Sequence, residues 1–85
     1  MKIEDIVLDC HNKVLKEFDI CKVSDLDMAM KAENGIDSLG IASLVLEIED
    51  QLNIELDDVL MDIRACKTIR ELVEIVDKEY RSQVK

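Results

Sequence analysis

The sequence predicts an all-α protein: a bundle of three long helices and one short helix, with a long loop between the first helix and the second. The 85 residues contain no proline and only two glycines, so few residues are present that would break helices or bound strands. Apolar residues recur at steps of three and four, which is the period of a helix with one buried face. The length suits a single domain over residues 1–85.

Four segments carry this period or the signals that begin a helix. The helices are expected at about 2–18, 37–52, 57–62 and from 69 onward. Asp37 and Ser38 are residue types that cap helix starts, so they place the beginning of the second helix. Thr68 and Glu71 stand three residues apart and fit a capping box, which places the beginning of the last helix.

Residues 19–37 form the long loop. They lose the helical period and contain Ser24-Asp25 and Glu33-Asn34-Gly35, which are residue types typical of turns. The loop residues that we expect to pack against the core are Val23, Leu26, Met28 and Met30. A loop of this length is uncommon in a small domain and is usually functional.

The acidic residues are concentrated in the middle of the chain. The formal net charge is −9, and residues 32–63 contain nine acidic residues and no basic residue. We do not expect nucleic acid as a ligand because phosphate binding needs the opposite charge. A basic patch on a partner protein would instead be attracted to this segment.

The cysteines and the histidine do not form a recognisable metal or catalytic motif. The three cysteines are widely spaced, without a C-x-x-C pair, and we interpret them as buried small hydrophobic residues in a reducing compartment. These are Cys10, Cys21 and Cys66. The single histidine, His11, lies beside Cys10 without metal-ligand spacing. No metal site is expected.

The sequence carries no recognisable targeting segment. Glu4 and Asp5 follow the initial Met1-Lys2-Ile3, which is unlike the start of a signal peptide. The longest weakly polar run, residues 39–48, is too short to span a bilayer. We therefore expect a cytoplasmic protein without membrane insertion.

Gly35-Ile36-Asp37-Ser38-Leu39 is the candidate functional segment. It resembles the attachment motif of the phosphopantetheine-dependent acyl and peptidyl carrier proteins, whose core is Asp-Ser-Leu at the start of the second helix. Here the motif also follows a long loop and opens an amphipathic helix with acids on its outer face. The segment at 52–57 is similar to the loop that leads into the short third helix of that family. The resemblance covers the whole chain and implies an acyl-carrier-protein-like bundle.

The resemblance also implies a function. Ser38 would carry 4′-phosphopantetheine covalently, and Asp37 would help a phosphopantetheinyl transferase to position Ser38. The chain would carry acyl or aminoacyl groups as thioesters and would catalyse nothing itself. Its partners would be that transferase and the acyl-loading and acyl-processing enzymes, with the chain itself a monomer. A helix N-terminus suits the negative phosphodiester that such an attachment creates.

A second apolar stripe on the second helix indicates a docking surface. The stripe consists of Leu39, Ala42 and Leu46. It is rotated away from the core stripe of Leu44, Ile48 and Leu52, and the residues expected to face inward also include Ile41 and Val45. The acidic rim beside it consists of Glu47, Glu49 and Asp50. In the family that this chain resembles, the matching positions face partner enzymes, and rim charges would guide basic patches on those partners. On spacing alone, Leu46 could equally broaden the buried face.

The motif departs from that of fatty-acid carriers at three positions. Gly40 and Ser43 stand where acids are usual, and Asp57 stands near the place of a common proline. Glycine disfavours a helix, so we interpret Gly40 as room for the arm or for a partner. The departures leave the pathway open among fatty acid, polyketide, modified-lipid, aminoacyl and D-alanyl transfer.

One alternative from another class of function stays open. Asp37 and Ser38 would only cap the helix in an unmodified acidic adaptor or regulatory module that binds a basic partner protein. A hydrolase built on Ser38 and His11 has no supporting motif.

Overall fold

Four α-helices and two short 3₁₀ turns make up the computed structural model, which describes residues 2–84. The helices are α1 (Ile3–Glu17), α2 (Ser38–Leu52), α3 (Leu60–Arg64) and α4 (Ile69–Gln83), and the 3₁₀ turns are Ala32–Asn34 and Asp57–Val59. Within residues 2–84 the β pairing is limited to one isolated bridge, between Ala29 and Thr68. The all-α class and the order of the helices are therefore confirmed. The short segment expected at 57–62 is a 3₁₀ turn followed by α3.

Local hydrogen bonds fix the ends of the helices. At the start of α4, the Thr68 hydroxyl accepts from the Glu71 N–H at 3.4 Å, and the Glu71 carboxylate accepts from the Thr68 N–H at 3.1 Å. The predicted capping box is thus confirmed. The N–H groups of Lys67 and Thr68 hold the pKa of Glu71 below its usual value. At the C-terminal end of α2, Asn53 adopts the left-handed conformation and donates its N–H to the Glu49 carbonyl.

The core is aliphatic and lies between α1, α2 and α4. Helix α1 packs against α2 and α4, and α3 packs against α4. The predicted inward stripe of α2 is buried at Leu44, Val45, Ile48 and Leu52, whereas Ile41 is only half-buried. None of the helices in residues 2–84 is long and apolar enough to cross a bilayer.

The long loop is attached to the start of α4 by backbone hydrogen bonds. The Met30 N–H donates to the Lys67 carbonyl at 2.9 Å, and the Ile69 N–H donates to the Met28 carbonyl at 3.0 Å. Both methionine side chains pack against the core. The loop therefore has a defined path even though its sequence lacks a helical or strand period.

The expectation that Val23 packs on the core is wrong. Its side chain is 78% exposed. The neighbouring Ser24 is the residue that turns inward, and its N–H donates to the Asn12 side-chain oxygen at 2.7 Å. The polar contacts of the buried Ser24 thus set the direction of the chain, and Val23 faces outward as a result.

Two leucines on α2 provide a matched test of this packing. Leu44 is 1% exposed and Leu46 is 65% exposed. We expect Leu44→Ala to lower the free energy of unfolding by about 2–5 kcal/mol, because it opens a cavity. We expect Leu46→Ala to change it by less than about 0.5 kcal/mol. Urea denaturation measures both, and equal losses would contradict the assignment of Leu46 to the surface.

Candidate functional site

The first turn of α2 forms the centre of the candidate site. Asp37 is the N-cap residue, and its Oδ1 accepts from the Gly40 N–H at 2.7 Å. Ser38 is the first residue of the helix and is exposed. The N–H groups of Ser38 and Leu39 have no acceptor among residues 2–84. The site thus presents a hydroxyl beside two free N–H donors at the positive end of a helix dipole.

The chain passes very close to itself beside this turn. Gly35 has a φ of 77°, in the left-handed region that favours glycine, and its carbonyl lies against the first turn of α2. A methyl group built on Gly40 would overlap the Gly35 carbonyl oxygen and crowd Asp37 Oδ1. The interpretation of Gly40 as room for an arm or a partner is therefore wrong, because the Gly35 backbone fills that space.

His11 is fully buried on α1 and connects two parts of the long loop. Its Nε2 lies 2.8 Å from the Asn34 carbonyl oxygen, and its Nδ1 lies 2.6 Å from the Ser24 hydroxyl. Because a carbonyl only accepts, Nε2 carries a proton and donates it; in the neutral ring Nδ1 then accepts from the Ser24 hydroxyl. Both ring nitrogens are thus engaged, and neither is free to act on Ser38.

Sequence reasoning missed this role of His11. A signal was present, since His11 stands four residues after Val7 and three before Val14, on the stripe of α1 that faces the core. A polar residue on a core stripe needs a buried partner. Its partners, Ser24 and Asn34, lie 13 and 23 residues away in sequence, and no local pattern identifies them.

The second apolar stripe of α2 is on the surface. Leu39 is 67% exposed and Leu46 is 65% exposed, with Ala42 also exposed between them. Leu46 therefore does not broaden the buried face. Ala42 and Leu46 also line a groove of about 240 Å³ between α2 and α3, with further apolar lining from Ile41, Val45 and Leu60.

The three acids of the predicted rim differ in their surroundings. Glu47 forms an ion pair with Lys13 of α1 at 3.7 Å. Glu49 accepts from the Leu56 N–H at 2.8 Å, so its carboxylate anchors the connection that follows α2. Asp50 is exposed and has neither an ion pair nor a hydrogen bond to another side chain within residues 2–84. Asp50 is thus the rim carboxylate with the fewest polar contacts to other side chains among residues 2–84.

The cysteines divide into two protected thiols and one exposed thiol. Burial raises the pKa of Cys10 to about 11. Burial, followed by the charge of nearby carboxylates, raises the pKa of Cys66 to about 11. Both thiols are protonated at neutral pH and are weak nucleophiles. The expectation of burial is confirmed for Cys10 and wrong for Cys21, which is exposed on the loop just after α1. No metal-ligating group of three side chains is found in residues 2–84.

A comparison with protein families identifies the chain. The model of a family described as the phosphopantetheine attachment site matches residues 6–76. The match extends from α1 into α4 and includes the Asp37-Ser38 turn. The chain belongs to this family. The chain is therefore a carrier protein that holds covalent 4′-phosphopantetheine. Its partners include a phosphopantetheinyl transferase and acyl-processing enzymes. Comparisons with curated proteins and with solved structures find no match.

The close approach of Gly35 and Gly40 predicts that a larger residue at position 40 destabilises the fold. Alanine normally stabilises a helix by about 0.5–1 kcal/mol relative to glycine. We nevertheless expect Gly40→Ala to lower the free energy of unfolding by about 1–3 kcal/mol, because the added methyl overlaps the Gly35 carbonyl. Urea denaturation measures the change, and Ser43→Ala on the same helix is the control. A Gly40→Ala variant more stable than the wild type would show that the contact is not fixed.

Proposed function

We propose that the Ser38 hydroxyl is the attachment point of 4′-phosphopantetheine in this carrier protein. The decisive observation is its exposure at the start of α2. The matched region contains two other serines: Ser24 is buried against His11, and Ser43 is half-buried within α2. Ser38 alone among the three is accessible to a transferase.

The residues around Ser38 fit this group. The free N–H groups of Ser38 and Leu39 and the dipole of α2 favour the negative charge of a phosphodiester. Asp37 Oδ1 is held by the Gly40 N–H, which fixes the side chain and leaves Oδ2 facing no donor among residues 2–84. In our proposal Oδ2 helps the transferase to position Ser38 and its metal-bound substrate.

The proposed work of the protein is to carry acyl or aminoacyl groups between enzymes. When bound, phosphopantetheine supplies a thiol on a flexible arm, and groups are attached to it as thioesters. The chain itself supplies an anchor for the arm and a surface for its partners, and no catalytic group. The cargo belongs to fatty acid, polyketide, or specialised lipid or peptide biosynthesis. We propose that residues 1–85 act as one monomeric carrier domain in the cytoplasm.

The proposed docking surface is the exposed stripe of α2 with its acidic rim. It consists of Leu39, Ala42, Leu46, Glu47, Glu49 and Asp50. Two large exposed apolar side chains on one helix face are a feature of interaction surfaces. The surrounding segment, residues 32–63, has no basic residue, so partners with basic patches are favoured and nucleic acid is disfavoured. The adaptor alternative would use the same surface but would leave Ser38 unmodified.

The attachment site is tested by intact mass spectrometry. The apo protein is incubated with coenzyme A and a broad-specificity phosphopantetheinyl transferase. We expect the wild type and Ser43→Ala to gain one phosphopantetheine each, and Ser38→Ala to gain none. The absence of a mass gain on folded wild-type protein would favour the adaptor. A gain on Ser38→Ala would place the attachment on another residue.

The docking surface is tested with the same transferase through its steady-state kinetics. We expect Leu46→Ala to raise KM about five- to twentyfold, the effect of losing about 1–2 kcal/mol of contact energy. Val23→Ala is the control, since Val23 is also exposed but lies on the loop. Raising the ionic strength from about 0.05 to 0.5 M should raise KM for the wild type, because the attraction between acidic rim and basic patch is screened. A KM that stays constant over this range would argue against docking through charge.

A further inference from the structure

The imidazole of His11 is a buried polar group that has no role in the proposed function. It stands on α1, which carries none of the site residues, yet its two hydrogen bonds reach the two halves of the long loop. The inference below rests on the proposed attachment at Ser38, and its tests are chosen so that the two proposals fail separately.

A short chain of contacts leads from His11 to the attachment site. His11 Nε2–H donates to the carbonyl of Asn34, and Asn34 directly precedes Gly35. The Gly35 carbonyl lies against Gly40, whose N–H is bound by the cap residue Asp37. Each step is a fixed backbone or hydrogen-bond contact. The position of the Asn34 carbonyl therefore determines where the first turn of α2 begins.

Asn34 is held tightly around this contact. Its side-chain N–H donates to the Ala29 carbonyl at 2.8 Å, and its side-chain oxygen accepts from Lys22 Nζ at 2.8 Å. The residue is buried. His11 thus completes a small network in which Asn34 is bound from the loop on one side and from α1 on the other.

The network is built for a neutral ring. Charged groups on the elements around it are Lys22, which binds Asn34, and the Lys13–Glu47 ion pair between α1 and α2. No charged side chain among residues 2–84 shifts the pKa of His11; burial lowers it, and the Asn34 carbonyl partly opposes this. A protonated ring would be a buried cation without a carboxylate, and it would force the Ser24 hydroxyl to find another acceptor.

We propose that His11 is a positioning residue for the modification of Ser38: its neutral imidazole holds residues 24–34 against α1, fixes the start of α2, and so presents Ser38 to the transferase. Loss or protonation of the ring loosens this segment. The carrier is then modified less efficiently at mildly acidic pH than at neutral pH.

The direction of the pH effect follows from burial. The pKa of His11 in the folded chain lies below its usual value of 6.5, so the unfolded or loosened segment takes up the proton first as the pH falls. The contribution of His11 to stability is complete above pH 6.5, and it is lost as the pH falls from 6.5 toward the lower pKa of the folded chain.

The coupling is tested by NMR of the wild-type apo protein between pH 7.5 and 5.5, above the ordinary carboxylate range near about 4. The chain has only two glycines, and both lie at the site, so the amide signals of Gly35 and Gly40 are direct reporters. We expect both signals to shift with the same midpoint as the His11 ring, and the shifts to disappear in His11→Gln. Ring titration without any shift at Gly35 and Gly40 would overturn the proposal.

The consequence for modification is tested by transferase kinetics on three chains. At pH 7.5 we expect His11→Leu to lower kcat/KM about five- to tenfold, mainly through KM, as expected from the loss of one or two hydrogen bonds. His11→Gln retains a donor for the Asn34 carbonyl and should restore most of the rate. Between pH 7.5 and 5.5 the ratio of wild type to His11→Gln should fall, because only the wild type gains a proton, and the ratio cancels the pH dependence of the transferase.

The outcomes separate this proposal from the proposed function. Equal kcat/KM for folded His11→Leu and wild type would overturn the positioning role while leaving Ser38 as the attachment point. Failure of the wild type to be modified would remove the proposed function, and the NMR coupling would still decide whether His11 controls the start of α2. If His11→Leu does not fold, Ser24→Ala replaces it, since that change removes only one of the two hydrogen bonds to the ring.

Discussion

The contact between the Gly35 carbonyl and the backbone at Gly40 is the constraint on which the site depends. No side chain fits at Gly40, so the turn before α2 can approach the helix closely enough for Asp37 to bind the Gly40 N–H. That arrangement leaves the next side chain, Ser38, outside the core and at the positive end of the helix. The Ser38 hydroxyl is thus exposed because the preceding turn packs closely against α2 and is capped by Asp37.

The long loop keeps this contact in place because it is attached to two helices. Its middle is bound to the backbone at the start of α4 through Met28 and Met30, and its two halves are bound to α1 through His11. A loop of this length without such attachments would have many conformations, each with a different start for α2. The buried imidazole therefore holds the loop that leads to the site, although it lies on another helix.

The surface of α2 shows that one set of residues serves both folding and proposed recognition. Glu49 anchors the connection to the 3₁₀ turn through the Leu56 N–H, and Glu47 pairs with Lys13. Both still contribute negative charge to the face on which Leu39 and Leu46 are exposed. Long-range attraction to a basic partner depends on that summed charge and not on whether each carboxylate is free. On the proposed docking surface, substitution of Glu49 would thus change stability and docking together, whereas substitution of Asp50 would change docking alone.

The sequence by itself determined the helices, their order and the attachment motif, because periodicity, capping residues and the Asp37-Ser38 pair are local signals. The capping box at Thr68 and the buried stripe of α2 followed from spacing alone. Only the tertiary structure decided the roles of His11 and Gly40 and the outward direction of Val23. Each depends on a contact between residues at least 5 positions apart in the sequence. Such contacts form only in the folded chain, and no local sequence pattern identifies the partners.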